Sequence, residues 1–137
     1  MQVYFLEDDI SVFGFHVQTF PNGIGEAFDV LVSAVPEGLN RSYYGLSHMD
    51  ANNKVVYIAS VEEKENGEGR KRNFENYVIR KGNYMYVVVT DWMKKVDSMK
   101  DIFHVMMNDP RADLTTPCVE WYKSDEEMWC MLKITEV

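Results

Sequence analysis

The residue whose type and surroundings most favour chemistry is Glu120, which lies in the apolar run PCVEWY at residues 117–122. The run is typical of a β-strand, where a buried carboxylate is costly unless it is paired. Alternation places Cys118, Glu120 and Tyr122 on one face of this strand. Glu120 therefore either points outward and pairs with a Lys or Arg on a neighbouring strand, or lines a cleft. In a cleft it would hold a cation or, with a raised pKa, act as a general base.

Aromatic side chains are dense in the strand-like segments, and the chain contains eight Tyr, seven Phe and three Trp. Most such residues fill the core, but Tyr and Trp also line ligand clefts because they carry a polar tip. A carboxylate among aromatic rings can recognise a planar cation. The candidate ligand-binding residues are Glu120, Tyr122, Trp121, Tyr44, Tyr57, Tyr84, Tyr86, Trp92 and Trp129.

Other kinds of site find little support in the sequence. His16, His48 and His104 are far apart and match no zinc-ligand spacing. No serine lies in a G-x-S-x-G motif, and the two glycine pairs at residues 23–25 and 67–69 do not follow the pattern of a phosphate-binding loop. We therefore predict no metal and no cofactor.

Composition indicates one domain spanning residues 1–137, with 46% hydrophobic residues and a net charge of −8. The acidic excess argues against direct nucleic-acid binding. Cys118 and Cys130 are expected to be buried, reduced thiols, with a disulfide as the less favoured alternative. The N-terminus lacks the features of a signal peptide, and the apolar runs are too short for a membrane span. We expect a cytoplasmic protein, and nothing in the sequence requires more than a monomer.

Periodicity predicts two helices and seven strands. The strands are predicted at residues 12–20, 42–48, 55–62, 74–80, 84–90 and 117–122, with a final strand at 128–134 after a turn, so that the segment 74–90 holds a strand pair. The first helix has its apolar face at Phe28, Leu31, Val32 and Val35. The second helix has its apolar face at Val96, Met99, Ile102, Phe103 and Met106. Its N-terminal cap is predicted to be Asp97 or Ser98. Residues 63–73 contain no apolar side chain and are predicted to be a solvated loop.

The two halves of the chain have the same predicted order of strand, helix, strand, strand. Residues 12–62 form the first unit and residues 74–134 the second, with a shift of 75 positions that becomes 73 after the hairpin turn. This pattern favours an internal duplication. We predict an α+β fold in which the repeats form an antiparallel sheet, with helices on one side and a cleft between the repeats.

Three segments resemble the gyrase-inhibitor-like small-molecule-binding family, which includes the effector-binding domains of Rob-type and multidrug-responsive bacterial transcription regulators. They are YGLS at residues 44–47, VIRKGNY at 78–84 and PCVEWY at 117–122. The resemblance extends from about residue 12 to residue 134. It implies a duplicated fold with a cleft, aromatic walls and a carboxylate that recognises lipophilic, often cationic compounds. Glu120 matches the family's glutamate, whereas the last strand offers no second carboxylate and has Lys133 where a proline is usual.

These observations favour a stand-alone protein that binds or sequesters a small lipophilic molecule, cationic or aromatic. One alternative is a hydrolase of electrophilic small molecules with Glu120 as general base, since the resemblance includes such enzymes. The other is an acidic module that binds a protein partner, such as a topoisomerase, through its surface. The variant Glu120→Gln separates the three hypotheses. Loss of ligand binding in the variant would support the binding protein, and loss of turnover would support the hydrolase. A protein complex that persists in the variant would support the interaction module.

Overall fold

The computed structural model describes residues 1–135 and shows an α+β fold. Within that range an eight-stranded antiparallel sheet carries two longer helices and one short helix. The elements are β1 (Gln2–Leu6), β2 (Ile10–His16), α1 (Ile24–Ala34), β3 (Tyr43–Met49), β4 (Val55–Glu62), α2 (Glu68–Lys71), β5 (Glu75–Ile79), β6 (Gly82–Thr90), α3 (Met99–Met107), β7 (Cys118–Tyr122) and β8 (Glu127–Lys133). Single 3₁₀ turns occur at Gly38–Asn40, Trp92–Lys94 and Val96–Ser98.

The sheet has the strand order β1-β6-β8-β7-β3-β4-β2-β5, which forces it to curl. Strands β1 and β2 are six positions apart, which would be roughly 29 Å in a flat sheet. Only residues 7–9 join them, and such a connection reaches about 14 Å at most. Strands β5 and β6 pose the same problem, because only Arg80 and Lys81 separate them. The sheet therefore bends into a half-barrel whose two edges approach each other.

The two faces of the sheet bury three apolar clusters, two beneath the helices and one on the opposite face. Helix α1 packs against β2 and β4 through Leu31, Phe13 and Val61, and α3 packs against β6, β7 and β8 through Phe103 and Met106. Both helices lie on the same face. The opposite, inner face of the half-barrel holds the third cluster, which joins residues from both sheet edges. Its members include Leu6, Val12, Tyr44, Leu46, Ile58, Ile79, Tyr84, Val119 and Met131, with Tyr4, Tyr77, Tyr86, Trp121 and Trp129 packed against them.

The two long helices form where the periodicity predicts them. In each helix some apolar residues are buried in the core and others are only partly buried. In α1, Ala27 and Leu31 are buried in the core, whereas Phe28 and Val32 are only partly buried. In α3, Met99, Phe103 and Met106 are buried. Val96, predicted on the same helical face, belongs to a preceding 3₁₀ turn and is 53% exposed. Ser98 occupies the position before α3 without a capping side-chain bond, since its hydroxyl donates to the Lys95 carbonyl.

Two sequence predictions at the start of the chain are wrong. Strand β1 was not predicted, although its alternating residues pack Tyr4 and Leu6 on the inner face. The strand predicted at residues 12–20 begins at Ile10 and ends at His16, because the chain turns there. The Val17 amide donates to the Tyr57 carbonyl, and the Asn22 amide then closes a turn on the Thr19 carbonyl.

The prediction of a solvated loop at residues 63–73 is also wrong in part. This segment contains α2, and Glu68 and Gly69 are buried. Two nitrogens of the Arg41 guanidinium each donate to one carboxylate oxygen of Glu68, both at 2.7 Å. Gly69 packs so closely on the Phe13 ring that a Cβ would lie 2.4 Å from the Phe13 Cβ. Long-range contacts therefore fold a segment that has no apolar pattern of its own.

Candidate ligand-binding site

A cavity of about 1450 Å³ opens on the helix face of the sheet. Helix α1 contributes Phe28 and Val32 to its lining, and α3 contributes Met99 and Phe103. The floor is formed by the middle strands of the sheet. Pockets for drug-sized molecules usually measure about 300–1000 Å³, so this cavity has room for a bulky ligand.

Three polar side chains meet at the floor of the cavity: Glu120 from β7, Tyr57 from β4 and Tyr122 from β7. The Tyr57 hydroxyl donates to Glu120 Oε1 at 2.7 Å, and the Tyr122 hydroxyl donates to the same oxygen at 2.8 Å. The two hydroxyl oxygens lie 2.9 Å apart. All three residues line the cavity. The strand register that brings them together runs through β3, where Gly45 pairs with Glu120 on one side and with Ala59 on the other.

Gly45 makes this cluster sterically feasible. A Cβ at this position would lie 2.1 Å from the Tyr57 hydroxyl oxygen and 2.7 Å from Glu120 Oε1. Such distances are far below van der Waals contact. The hydrogen bond between Tyr57 and Glu120 therefore occupies the space that a side chain on β3 would fill.

Glu120 is half-buried and lines the cavity. Desolvation raises the pKa of its carboxyl group, and the hydrogen bonds from Tyr57 and Tyr122 lower it without overcoming that effect. Burial also raises the pKa values of both tyrosines well above their usual range, and the Glu120 charge adds to the rise. The two tyrosine hydroxyl oxygens and Glu120 Oε1 make three short contacts with one another. When Glu120 is ionised, only the two hydroxyl protons are present to bridge them. A protonated Glu120 carboxyl group would supply a third proton.

The second carboxylate oxygen of Glu120 is available to a ligand. Within residues 1–135 the structure records hydrogen bonds to Oε1 and none to Oε2. No side-chain oxygen or nitrogen in that range is both fully buried and without a partner, so Oε2 keeps contact with the cavity. A carboxylate held by two neutral donors, with one free oxygen, can accept a hydrogen bond from a ligand or neutralise its positive charge.

Aromatic rings form the walls above this floor. Phe20 stacks on Tyr57 with ring centroids 5.2 Å apart. Phe28 and Trp92 each pack edge to face against Tyr122, at 5.1 Å and 5.0 Å. The Trp92 indole also donates to the Ser124 carbonyl at 2.9 Å, which fastens the loop before α3 to the turn after β7. The charged group is thus enclosed by rings that can contact an apolar or cationic ligand.

The rim of the cavity is apolar and solvent-exposed. Leu39 is 88% exposed and Leu114 is 67% exposed, and both line the cavity. Four more exposed apolar residues do so as well: Met49, Val55, Met93 and Val96. Large apolar side chains gathered around an opening are typical of binding surfaces, whereas isolated ones are common on any protein.

The structure brings four of the nine predicted ligand-binding residues to the cavity: Glu120, Tyr122, Tyr57 and Trp92. The other five do not line it. These five lie on the inner face of the half-barrel because of strand alternation and register: Tyr44, Tyr84, Tyr86, Trp121 and Trp129. The alternative in which Glu120 pairs with a Lys or Arg on a neighbouring strand is wrong, since its partners are tyrosines.

The sequence prediction missed the wall and rim residues outside the strands. Phe20 and Phe28 come from a turn and a helix, and Leu39, Met93 and Leu114 come from connecting segments. A usable signal exists, because large apolar residues beside Pro, Gly or charged residues in predicted turns have no core to fill. The pairs Phe20-Pro21 and Gly38-Leu39 are examples.

The two cysteines lie on the helix face as buried free thiols. Cys118 lines the cavity, and burial raises its pKa to about 11. Burial likewise raises the pKa of Cys130, whose thiol contacts the Met99 sulfur at 3.8 Å. Both groups are therefore protonated at neutral pH and poor nucleophiles. Separately, within residues 1–135 no helix combines the length and hydrophobicity required to span a membrane.

Several solved structures share this fold. An integron cassette protein from the Vibrio cholerae mobile metagenome, VCH_CASS2, superposes with a TM-score of 0.68 at 13% identity, covering 98% of this chain and 100% of that one. SAV2435, solved bound to tetraphenylphosphonium, gives 0.70 at 11% identity, covering 98% and 93%. A hydrolase from Listeria innocua gives 0.56 at 11% identity, covering 98% and 90%.

No protein-family model and no curated protein matches the sequence. At these low identities the structural similarity shows the fold alone. The shared fold agrees with the α+β class that the sequence predicts.

Proposed function

We propose that this chain is a single-domain protein that binds a bulky lipophilic molecule, preferentially a cation, in the cavity between α1 and α3. The observation that carries the proposal is Glu120, a carboxylate at the floor of a large cavity with two tyrosine donors on Oε1 and none on Oε2. A buried charge without a counter-ion is costly. A cationic ligand would balance this charge, so relief of the cost would contribute to the free energy of binding.

The walls and rim support a large apolar ligand body. Phe20, Phe28 and Trp92 pack against the rings of the two tyrosines that hold the carboxylate, and all three line the cavity. The exposed rim residues would bury apolar surface on binding, and such burial contributes roughly 25 cal/mol per Å². The neighbour solved with tetraphenylphosphonium is a protein of this fold that holds a compound of this kind.

Strand order supports an internal duplication as the origin of the cavity. Exchanging β1–β4 with β5–β8 reverses the strand order of the sheet and leaves it otherwise unchanged. The first proposed unit would then begin one strand earlier than the sequence pattern indicated, whereas the second would begin at β5 as predicted. Each unit would contribute one long helix. The cavity would lie where the two units meet, with Tyr57 from the first and Glu120 and Tyr122 from the second.

The test is isothermal titration calorimetry with tetraphenylphosphonium as the cation and triphenylphosphine oxide as a neutral compound of similar shape. We expect saturable binding of the cation that weakens at least tenfold in Glu120→Gln, because the neutral amide cannot balance the charge. Binding of the neutral compound should change much less. Equal affinities of the wild type and Glu120→Gln for the cation would contradict the proposed role of Glu120.

Glu75→Gln is the matched control. Glu75 is exposed on the edge strand β5, accepts a bond from the Tyr77 hydroxyl at 2.7 Å and does not line the cavity. The same charge is removed from the chain, but not from the cavity. We expect Glu75→Gln to retain the affinity of the wild type within about twofold, which separates a local effect of Glu120 from a change in net charge.

Hydrolysis of an electrophilic small molecule is a second candidate, favoured by the raised pKa of Glu120 beside two hydroxyl groups. Glu120 would take a proton from water while the water oxygen bonds to the electrophilic carbon. The bond to the leaving oxygen would break, and Tyr57 or Tyr122 would protonate that oxygen and recover a proton from Glu120. Incubation with styrene oxide tests this: formation of the diol that is lost in Glu120→Gln would support it. Binding without any diol would set it aside.

A further inference from the structure

Lys123 borders the cavity but carries its charge on the opposite side of the sheet. It follows β7 directly and belongs to the cavity lining together with Ser124 and Asp125. Its ammonium nitrogen nevertheless lies 3.4 Å from the centroid of the Trp121 ring and 4.3 Å from that of Trp129. Both indoles belong to the inner face of the half-barrel.

Strand geometry explains this orientation. Positions 121 and 123 project to the same side of β7, whereas Glu120 and Tyr122 project into the cavity. The two indole rings are tilted by 66° with centroids 5.6 Å apart, so they present two ring faces to one cation. Trp is the strongest aromatic partner for an ammonium group. Partial burial there lowers the pKa of Lys123, and the charge of the nearby Glu127 carboxylate opposes that effect.

The position of the Lys123 ammonium affects the balance of charges in the cavity lining. Five carboxylates line the cavity: Glu26, Asp29, Asp97, Glu120 and Asp125. Its cations are Arg41, Lys100 and Lys123, and His48 completes the set of titratable imidazole and ammonium groups. Arg41 is neutralised by Glu68 at 2.7 Å. With Lys123 turned away, the lining keeps an acidic balance that attracts cations.

We propose that Trp121 and Trp129 hold the Lys123 ammonium outside the cavity, which makes Trp121 a specificity-determining residue for cationic over neutral ligands. Trp121 would act through Lys123 from the face of the sheet that the ligand does not touch. The inference rests on the proposed function and extends it to the selectivity of the site. Once released, the flexible lysine side chain can turn toward the mouth of the cavity, where its charge would repel a cation.

The test is a double-mutant cycle of Trp121→Leu and Lys123→Gln, with calorimetry on tetraphenylphosphonium and triphenylphosphine oxide. We expect Trp121→Leu to weaken binding of the cation by roughly twofold to fivefold at low salt, and that of the neutral compound by less. Lys123→Gln should then restore cation binding in the Trp121→Leu background. Tyr86→Leu is the matched control, because Tyr86 stacks on Trp129 at 4.3 Å without contacting the ammonium. Equal loss for both compounds, or no recovery with Lys123→Gln, would overturn the proposal.

A readout without ligand separates this proposal from the proposed function. A lysine charge that moves toward the cavity should lower the pKa of Glu120, so the carboxyl-carbon NMR titration of Glu120 should shift to lower pH in Trp121→Leu. The shift should disappear when Lys123→Gln is added. In the wild type, the ε-methylene protons of Lys123 should resonate upfield of those of other lysines because of the indole ring currents. An unchanged titration, or ordinary Lys123 shifts, refutes the proposal whether or not tetraphenylphosphonium binds. Absence of binding with these NMR effects present would instead count against the proposed function alone.

Discussion

Glu68 and Glu120 are both withdrawn from bulk solvent, but their partners differ. Glu68 receives two bonds from the Arg41 guanidinium, a further bond from the Lys64 amide at 3.1 Å, and the nearby charge of Arg72. Its pKa falls to about 2, chiefly because of the Arg41 hydrogen bonds. Glu120 receives two bonds from neutral tyrosines and its pKa rises.

This difference shows why the two carboxylates serve different purposes. The charge of Glu68 is neutralised within the protein, and the pair fastens α2 to the segment before β3. The charge of Glu120 is left unbalanced and open to the cavity through Oε2. Burial of a carboxylate therefore does not by itself mark a candidate functional site, and burial without a counter-ion is the more informative observation.

The largest expected effect comes from breaking the ion pair. Arg41→Leu should lower the free energy of unfolding by about 3 kcal/mol, since it leaves the buried Glu68 with only the longer ion pair to Arg72 at 3.8 Å. Only the low end of the usual range is expected, because the pair lies close below the surface. Chemical denaturation measures the change. The double variant Arg41→Leu/Glu68→Leu should recover much of the loss, and a loss below 1 kcal/mol in the single variant would contradict this account.

The sequence could not have predicted this ion pair. Arg41 and Glu68 are separated by 27 positions, and each is surrounded by other polar residues. Ion pairs leave no periodic signal, so the segment containing Glu68 had the composition of a solvated loop. Glu120 was recognisable for the opposite reason, because a charge inside a strongly apolar strand interrupts the local pattern.

The second prediction concerns the floor of the cavity. Gly45→Ala should destabilise the protein by about 1–3 kcal/mol and weaken cation binding, because the new methyl group displaces Tyr57 or Glu120. Gly25→Ala is the control, since a Cβ there has no neighbour within 4 Å. That change in α1 should stabilise the protein by up to about 1 kcal/mol. Thermal unfolding of both variants provides the measurement, and equal effects in the two would refute the steric role of Gly45.

The third prediction is that the two carboxylates have opposite effects on the pH dependence of stability. The pKa of Glu68 is lower in the folded protein than in the unfolded chain. Its ionisation therefore stabilises the folded state above about pH 4.5, and this stabilisation is lost as the pH falls toward 2. The folded pKa of Glu120 lies above its unfolded value. Its contribution is therefore present below about pH 4.5 and is lost as the pH rises through the folded pKa.

Glu120→Gln tests the second half of that statement. Removing the titrating group should make the variant gain on the wild type as the pH rises, by about 1.4 kcal/mol for each tenfold weakening of the acid. Denaturation curves between pH 4 and pH 8 give the difference. A difference that stays constant over this range would show that Glu120 ionises as freely in the folded protein as in the unfolded one.

Aromatic residues show the limit of the sequence prediction more clearly than the charges do. Trp121 could be placed opposite Glu120 because both lie in one strand. Tyr44, Tyr86 and Trp129 lie in other strands, and their faces depend on the register between strands and on where each strand begins. A side chain changes face when the register shifts by one residue. The sequence therefore predicted the fold class and the central carboxylate, but not which aromatic rings surround it.

The smallest expected effects come from the two tyrosines. Tyr57→Phe and Tyr122→Phe should each cost about 0.5–1.5 kcal/mol of stability, because each removes one hydrogen bond to Glu120 Oε1. Both bonds lower the Glu120 pKa, so each change should raise it further, and the double variant should raise it most. Carboxyl-carbon NMR titration of Glu120 measures this. Tyr84→Phe is the control, since the Tyr84 hydroxyl donates to the Arg80 carbonyl and its ring lies on the inner face. If Tyr84→Phe moved the Glu120 titration as much as Tyr57→Phe, the shift would reflect general loosening of the sheet. A shift confined to Tyr57 and Tyr122 would instead assign control of the Glu120 charge to the two hydroxyl groups that contact it.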